Sequence, residues 1–126
     1  MQIVISIKTE YLNKIRSGIK KWELRKKLPE DKIISGEIDK IWVWETSPIS
    51  KVVGYIEIGE LKKDKPDILW HEYGKEFGVE KNFYDNYYKN KNYAIAIEIK
   101  NWVDTDFFNN AKIVAPQGYI YINNAV

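Results

Sequence analysis

Residues 92–103 alternate between two kinds of side chain, Tyr93, Ile95, Ile97 and Ile99 on one side and Ala94, Ala96, Glu98 and Lys100 on the other. A two-residue period belongs to a β-strand, because successive side chains of an extended chain point to opposite faces. Such a strand cannot bury its isoleucines alone, so the remaining sequence has to supply a sheet and a cover for it. The small alanine side also leaves room for something packed closely. The same period sets Ile3, Ile5 and Ile7 against Val4 and Ser6 in residues 1–8, and Trp22 and Leu24 against Lys21, Glu23, Arg25 and Lys27 in residues 19–27. In residues 37–45 the consecutive Ile41, Trp42, Val43 and Trp44 imply burial on both faces. A further strand over 51–61 carries Gly54 and Gly59, where a bulge is expected, and a last one ends in Tyr119–Ile122 after a turn at Pro116, Gln117 and Gly118.

Helical signals are shorter. Thr9 suits an N-cap, Leu12 and Ile15 form a stripe, and Gly18 is the expected stop. Residues 28–36 read as a loop, residues 46–50 as a turn rich in hydroxyls, residues 62–67 as a break and residues 104–111 as a polar link. Pro66 fits the first turn of a helix with Ile68, Leu69 and Tyr73 inward, and residues 81–88 read as a helix whose Phe83, Tyr84, Tyr87 and Tyr88 pack against the sheet. Five or six strands with two to three short helices predict an α+β chain folded as one domain over residues 1–126, either a small barrel or a strongly curved sheet.

The chain has no cysteine and one histidine, His71, so thiol chemistry, disulfides and His-based metal sites are excluded, and His71 reads as structural. No apolar run approaches the roughly 18 residues of a membrane span, and the opening residues lack the pattern of a secretory leader. A cytoplasmic location with no membrane partner is expected. Net charge is only +2, but it is uneven: Lys14, Arg16, Lys20, Lys21, Arg25, Lys26 and Lys27 stand against the single acid Glu23, seven bases less one acid, a local +6 that leaves −4 elsewhere. Such a patch would steer a phosphate-bearing ligand, and Lys14, Arg16, Lys21, Lys26 and Lys27 are its candidate nucleic-acid contacts.

Within that patch, Gly18 to Arg25 has the form G-x-K-x-x-E-x-R at a helix-to-strand junction. Glu23 and Arg25, two apart on a strand, share a face about 6.5 to 7 Å apart, so an acceptor and a planar donor fork can hold one group between them. Lys20 adds a point charge at the helix end. Thr46, Ser47 and Ser50, with Lys51 beside them, could donate to a phosphate, and Trp44 next to that turn could stack on a base.

The octapeptide, the turn TSPISKVVG and the closing APQGYIYI together resemble the ASCH superfamily, and the resemblance runs from Ile3 to Ile122. It implies a PUA-like β-barrel, related to RNA-binding modules and similar to readers of modified bases. It also implies an RNA or modified-nucleotide ligand in a cleft between barrel and first helix, held by Lys20, Glu23, Arg25, Trp44, Thr46, Ser47, Ser50 and Lys51. Some members resemble amidohydrolases of acetylated cytidine that use the signature lysine, a threonine three positions on and a later glutamate. Lys20 matches the lysine, Glu57 is the candidate for the later glutamate, and Glu23 stands where the threonine is expected. The hydroxyl nucleophile is therefore missing, and little deacetylation is expected. Other members look like metal-dependent ribonucleases, for which Glu23 and Glu57 are the candidate carboxylates. Hydrolysis by Lys20, Glu23 and Glu57 and a regulatory interaction domain remain the alternatives to a binding module. No cofactor is expected, a divalent metal entering only with the ribonuclease alternative.

Overall fold

The computed structural model describes residues 2–106 and 114–122. Its strands are β1 (Gln2–Ile7), β2 (Trp22–Arg25), β3 (Lys40–Glu45), β4 (Lys51–Asp64), β5 (Ala94–Asp104) and β6 (Tyr119–Ile122). The helices are α1 (Thr9–Arg16), α2 (Glu30–Ile34), α3 (Pro66–Tyr73) and α4 (Lys81–Tyr87), with a 3-10 turn at Gly74–Glu76. One six-stranded sheet runs in the order β2-β5-β4-β3-β1-β6, and only the β1–β3 pair is parallel. The sheet curls into a half-barrel. Arg25 of edge strand β2 thereby reaches the backbone carbonyl of Ser6 in β1, with its guanidinium donating over 2.6 Å.

Inside the curl lie Ile3, Ile5 and Ile7 of β1, Ile41 and Val43 of β3, Ile56 of β4 and Ile95 and Ile97 of β5, covered by Leu12 and Ile15 of α1 and Ile33 of α2. On the other face of β2 and β5, Trp22 and the small Ala94 and Ala96 pack against the bulky Leu69, Phe77, Tyr84 and Tyr88 of the helical insertion between β4 and β5. Cross-strand partners share a face, so the pairing of Glu23 with Ile97 and Arg25 with Ile95 turns both charged side chains toward the interior of the curl. Neither face of β2 is left to solvent. None of the described helices is long and apolar enough to cross a membrane.

Three local expectations need correction. Residues 28–36 contain α2, whose five residues are too few to show a helical period but carry Glu30 and Asp31 in the first turn, where the helix dipole favours acids. The strand expected to end at Leu61 continues through Lys62, Lys63 and Asp64, which pair with Ala96, Ile95 and Ala94. Register shifts flank Ile58 and take in Gly59, whose missing side chain makes room for the Glu98 carboxylate. Thr9 does not cap α1. It begins the helix, and its hydroxyl donates over 2.8 Å to Glu45, a buried acid in β3. Much of the expected link at 104–111, together with residues 112 and 113, lies outside the described residues.

Candidate active cavity

Gly18 takes a φ of +81 at the end of α1, a conformation that favours glycine, and this turn swings Lys20 inward instead of out along the helix. Lys20 is only 4% exposed. Its Nζ donates over 2.8 Å to the Phe77 carbonyl and lies 3.9 Å from Glu23 Oε1. The second Glu23 oxygen accepts from Arg25 Nε at 3.0 Å. Buried charge is tolerated where it is paired and hydrogen-bonded, and this trio meets that condition with one acid between two bases. Burial pushes the Lys20 ammonium below its ordinary pKa; the Glu23 carboxylate opposes the shift, and Arg25 and Lys14 add to it. At a given alkaline pH Lys20 is therefore more often the neutral amine, able to accept a proton, than a surface lysine.

The residues holding Lys20 come from the insertion. Three successive carbonyls, of Glu76, Phe77 and Gly78, accept from the Lys21 backbone N–H at 2.8 Å, Lys20 Nζ at 2.8 Å and Lys14 Nζ at 3.0 Å. Gly78 has a φ of +68, and a β-carbon there would stand 2.7 Å from Lys20 Cβ. The chain can approach the lysine only because this position is glycine.

Lys20, Glu23 and Arg25 line one cavity of about 160 Å³ with Ser6, Ile7, Lys8, Tyr11, Leu24, Val79, Phe83 and Tyr87. Its aromatic wall joins two helices: the Tyr11 and Phe83 rings are 5.5 Å apart, and Phe83 stacks on Tyr87 at 5.9 Å with 10° between planes. Here the reading of α4 has to be divided. Tyr84 and Tyr88 pack on the sheet as expected, whereas Phe83 and Tyr87 on the adjacent stripe line the cavity, Tyr87 also packing against that core. Burial raises the pKa of Tyr87, with Arg25 opposing the rise and the nearby Glu23 charge adding to it, so the phenol keeps its proton to higher pH than an ordinary tyrosine.

The other sequence candidates are placed elsewhere. Trp44, Thr46, Ser47, Ser50 and Lys51 do not line this cavity; Trp44 packs with Val4, Trp42 and Val52 on the outer face of the sheet. Glu57 lines a different depression with Asp39, Lys40, Tyr55, Ile58 and Lys100. Glu23 and Glu57 thus form no carboxylate pair, both Glu23 oxygens face cationic partners, and among the described residues no three His, Cys, Asp or Glu side chains are grouped to hold an ion. The donor set does not fit a metal centre built on these two glutamates. His71 is exposed on α3.

The basic patch is narrower than the sequence suggests, because acids distant in sequence fold against it. Arg16 pairs with Glu45 at 3.4 Å and Asp104 at 3.3 Å, and Lys21 with Glu76 at 3.9 Å. Lys26 and Lys27 stay exposed, with Lys26 Nζ 4.4 Å from the Tyr87 ring centroid. Sequence reasoning missed Lys8 and Tyr11 at α1 and Phe83 and Tyr87 on α4 as cavity residues; the doubled aromatic stripe marks α4 as unusual without saying which stripe meets the cavity.

A family model described as the ASCH domain matches residues 5–102. An ASCH domain-containing ribonuclease of Zymomonas mobilis is 26% identical over 100 residues, which make up 79% of this chain and 65% of the relative, so the chain spans less than two thirds of that protein. The large ribosomal subunit protein uL22 of Ureaplasma parvum is 29% identical over 89 residues, 66% of this chain but 28% of its own length. Crystal structures of ASCH from Zymomonas mobilis superpose with a TM-score of 0.77 at 22% identity, and of one of its mutants with 0.80 at 23% identity, in both cases over 98% of this chain and over 88% and 89% of theirs.

Proposed function

Since this chain belongs to the ASCH domain family, with the PUA-like curled sheet of that fold, we propose that it binds single-stranded RNA by drawing one unpaired base into the Lys20–Glu23–Arg25 cavity. The observation that carries this reading is the convergence of three buried or half-buried charged groups and three aromatic rings on one small cavity. A cavity of about 150 Å³ admits a ring the size of benzene, so the 160 Å³ here suits a single base ring. The Glu23 carboxylate would accept from a base N–H, and Lys20 would donate to a ring carbonyl. The edges of Tyr11, Phe83 and Tyr87 supply the apolar contact through which unstacked bases are held. A flat charged patch, as a purely regulatory contact surface would use, lacks such a recess.

The test is a titration of labelled single-stranded RNA followed by fluorescence anisotropy at several salt concentrations. Lys8 and Lys26 flank the cavity as exposed cations. If each neutralises one phosphate, log affinity should fall with log salt at a slope of about −1.4, and Arg25→Lys should weaken binding at every salt concentration because the ammonium cannot hold Glu23 and Ser6 together. Binding that is absent at about 50 mM salt, or that Arg25→Lys leaves unchanged, contradicts the reading.

One observation favours a second reading, hydrolysis of the bound RNA. Lys20 combines a lowered pKa with a carboxylate 3.9 Å away, and a relative is named as a ribonuclease. In its neutral form Lys20 would take the proton of a ribose 2′-hydroxyl, whose oxygen would attack the adjacent phosphorus as the P–O5′ bond breaks and the departing oxygen takes a proton from solvent, leaving a 2′,3′-cyclic phosphate and a free 5′-hydroxyl. Mass spectrometry of RNA incubated with the protein distinguishes the two readings, since only the second yields a cyclic phosphate that Lys20→Ala abolishes.

A further inference from the structure

Resting on that reading, we infer that α4 forms a second, stacking subsite, so that the ligand is a nucleotide inside an unpaired strand rather than a free nucleoside. Phe83 is 39% exposed at the lip of the cavity, although Tyr84 of the same helix and Tyr88 at its end are buried in the core. A lone exposed ring is ordinary on a protein surface. Phe83 is not alone: its ring lies 10° from parallel with Tyr87 at 5.9 Å and 5.5 Å from the Tyr11 ring, so the three rings form one cluster at the cavity.

Cations from α1 and from the ends of β1 and β2 border these rings. Lys26 Nζ stands over Tyr87 at 4.4 Å, Lys14 Nζ over Tyr11 at 5.7 Å, and Lys8 lines the cavity at the start of α1. An exposed apolar ring in a cluster bordered by positive charge matches a single strand, which offers stackable bases joined by phosphates. A base held in the cavity leaves its neighbour beside Phe83. The platform is blind to base identity, because every base has a π-face, and specificity stays with Lys20, Glu23 and Arg25.

The experiment measures affinity for a mononucleotide and for a trinucleotide with the same central base, by competition against labelled RNA. Lengthening the ligand should tighten binding to the native chain, and Phe83→Ala should shrink the trinucleotide-to-mononucleotide affinity ratio about tenfold, while Phe83→Trp preserves it. Thermal melting of each variant establishes that it is folded, and Phe83→Leu, which keeps apolar bulk without a flat face, should behave as Phe83→Ala does. An unchanged ratio in Phe83→Ala overturns the subsite, as does duplex RNA binding as tightly as the single strand. Failure of the underlying reading looks different: Lys20→Ala would then bind the mononucleotide as tightly as the native chain.

Discussion

Glu23→Ala should destabilise the fold by about 3–5 kcal/mol, the usual consequence of removing one partner from a buried ion pair. Glu23 is the sole acid of its trio, and without it Lys20 and Arg25 face each other inside the protein with no counter-charge. Lys20→Met should cost far less, because Glu23 keeps its 3.0 Å bond to Arg25 and the methionine spares the desolvation of an ammonium. Urea unfolding of the native chain and both variants measures the difference. Equal losses would show that the trio is not energetically coupled. The pH dependence has a definite sign: because folding lowers the Lys20 pKa, the folded chain releases that proton first, and stability gains from Lys20 as pH rises toward 10.5. Tyr84 and Tyr88 act the other way above pH 10, where their burial-raised values penalise ionisation. The Lys20 contribution is therefore read as the difference between the native chain and Lys20→Met.

Gly78→Ala is expected to lower stability by about 2–4 kcal/mol and to weaken RNA binding with it. Placing a side chain at a positive φ costs about 1–2 kcal/mol, and overpacking against Lys20 adds a comparable amount. Gly18→Ala is the matched control. Its φ of +81 carries the same backbone penalty, but nothing lies within 4 Å of the added carbon, so it should lose only about 1–2 kcal/mol. Urea unfolding of the pair separates strain from contact: equal losses would mean that Gly78 is there for its backbone alone and does not make room for Lys20.

How much of this was legible in the sequence depended on the range of the signal. The period of β1 and β5 and the octapeptide from Gly18 to Arg25 are local patterns: the first marks two strands of the sheet, and the second marks three charged groups that the fold brings to one cavity. The same pattern could not say that β2 is covered on both sides, because the cover is supplied by α4 and by the curl. Phe83 and Tyr87 form one stripe of α4 and Tyr84 and Tyr88 the other; when both stripes are aromatic, periodicity cannot choose which faces the core. The charges of Lys62, Lys63 and Asp64 imitate a break in the strand, while their pairing with β5 is a long-range fact. Glu45 shows the same limit, its partners Thr9 and Arg16 lying 36 and 29 residues away. The hydroxyl turn at residues 46–50 carries donors in sequence, yet its side chains do not line the cavity that Lys20 helps to form.

Photo-crosslinking of single-stranded RNA carrying one 4-thiouridine, followed by mass spectrometry of the peptides, tests base capture most directly. The account predicts adducts on Tyr11, Phe83 or Tyr87 that fade when unlabelled RNA competes and are lost in Lys20→Ala. Adducts confined to the turn at residues 46–50 or to the outer sheet face around Trp44, with the cavity residues unmodified, would contradict it.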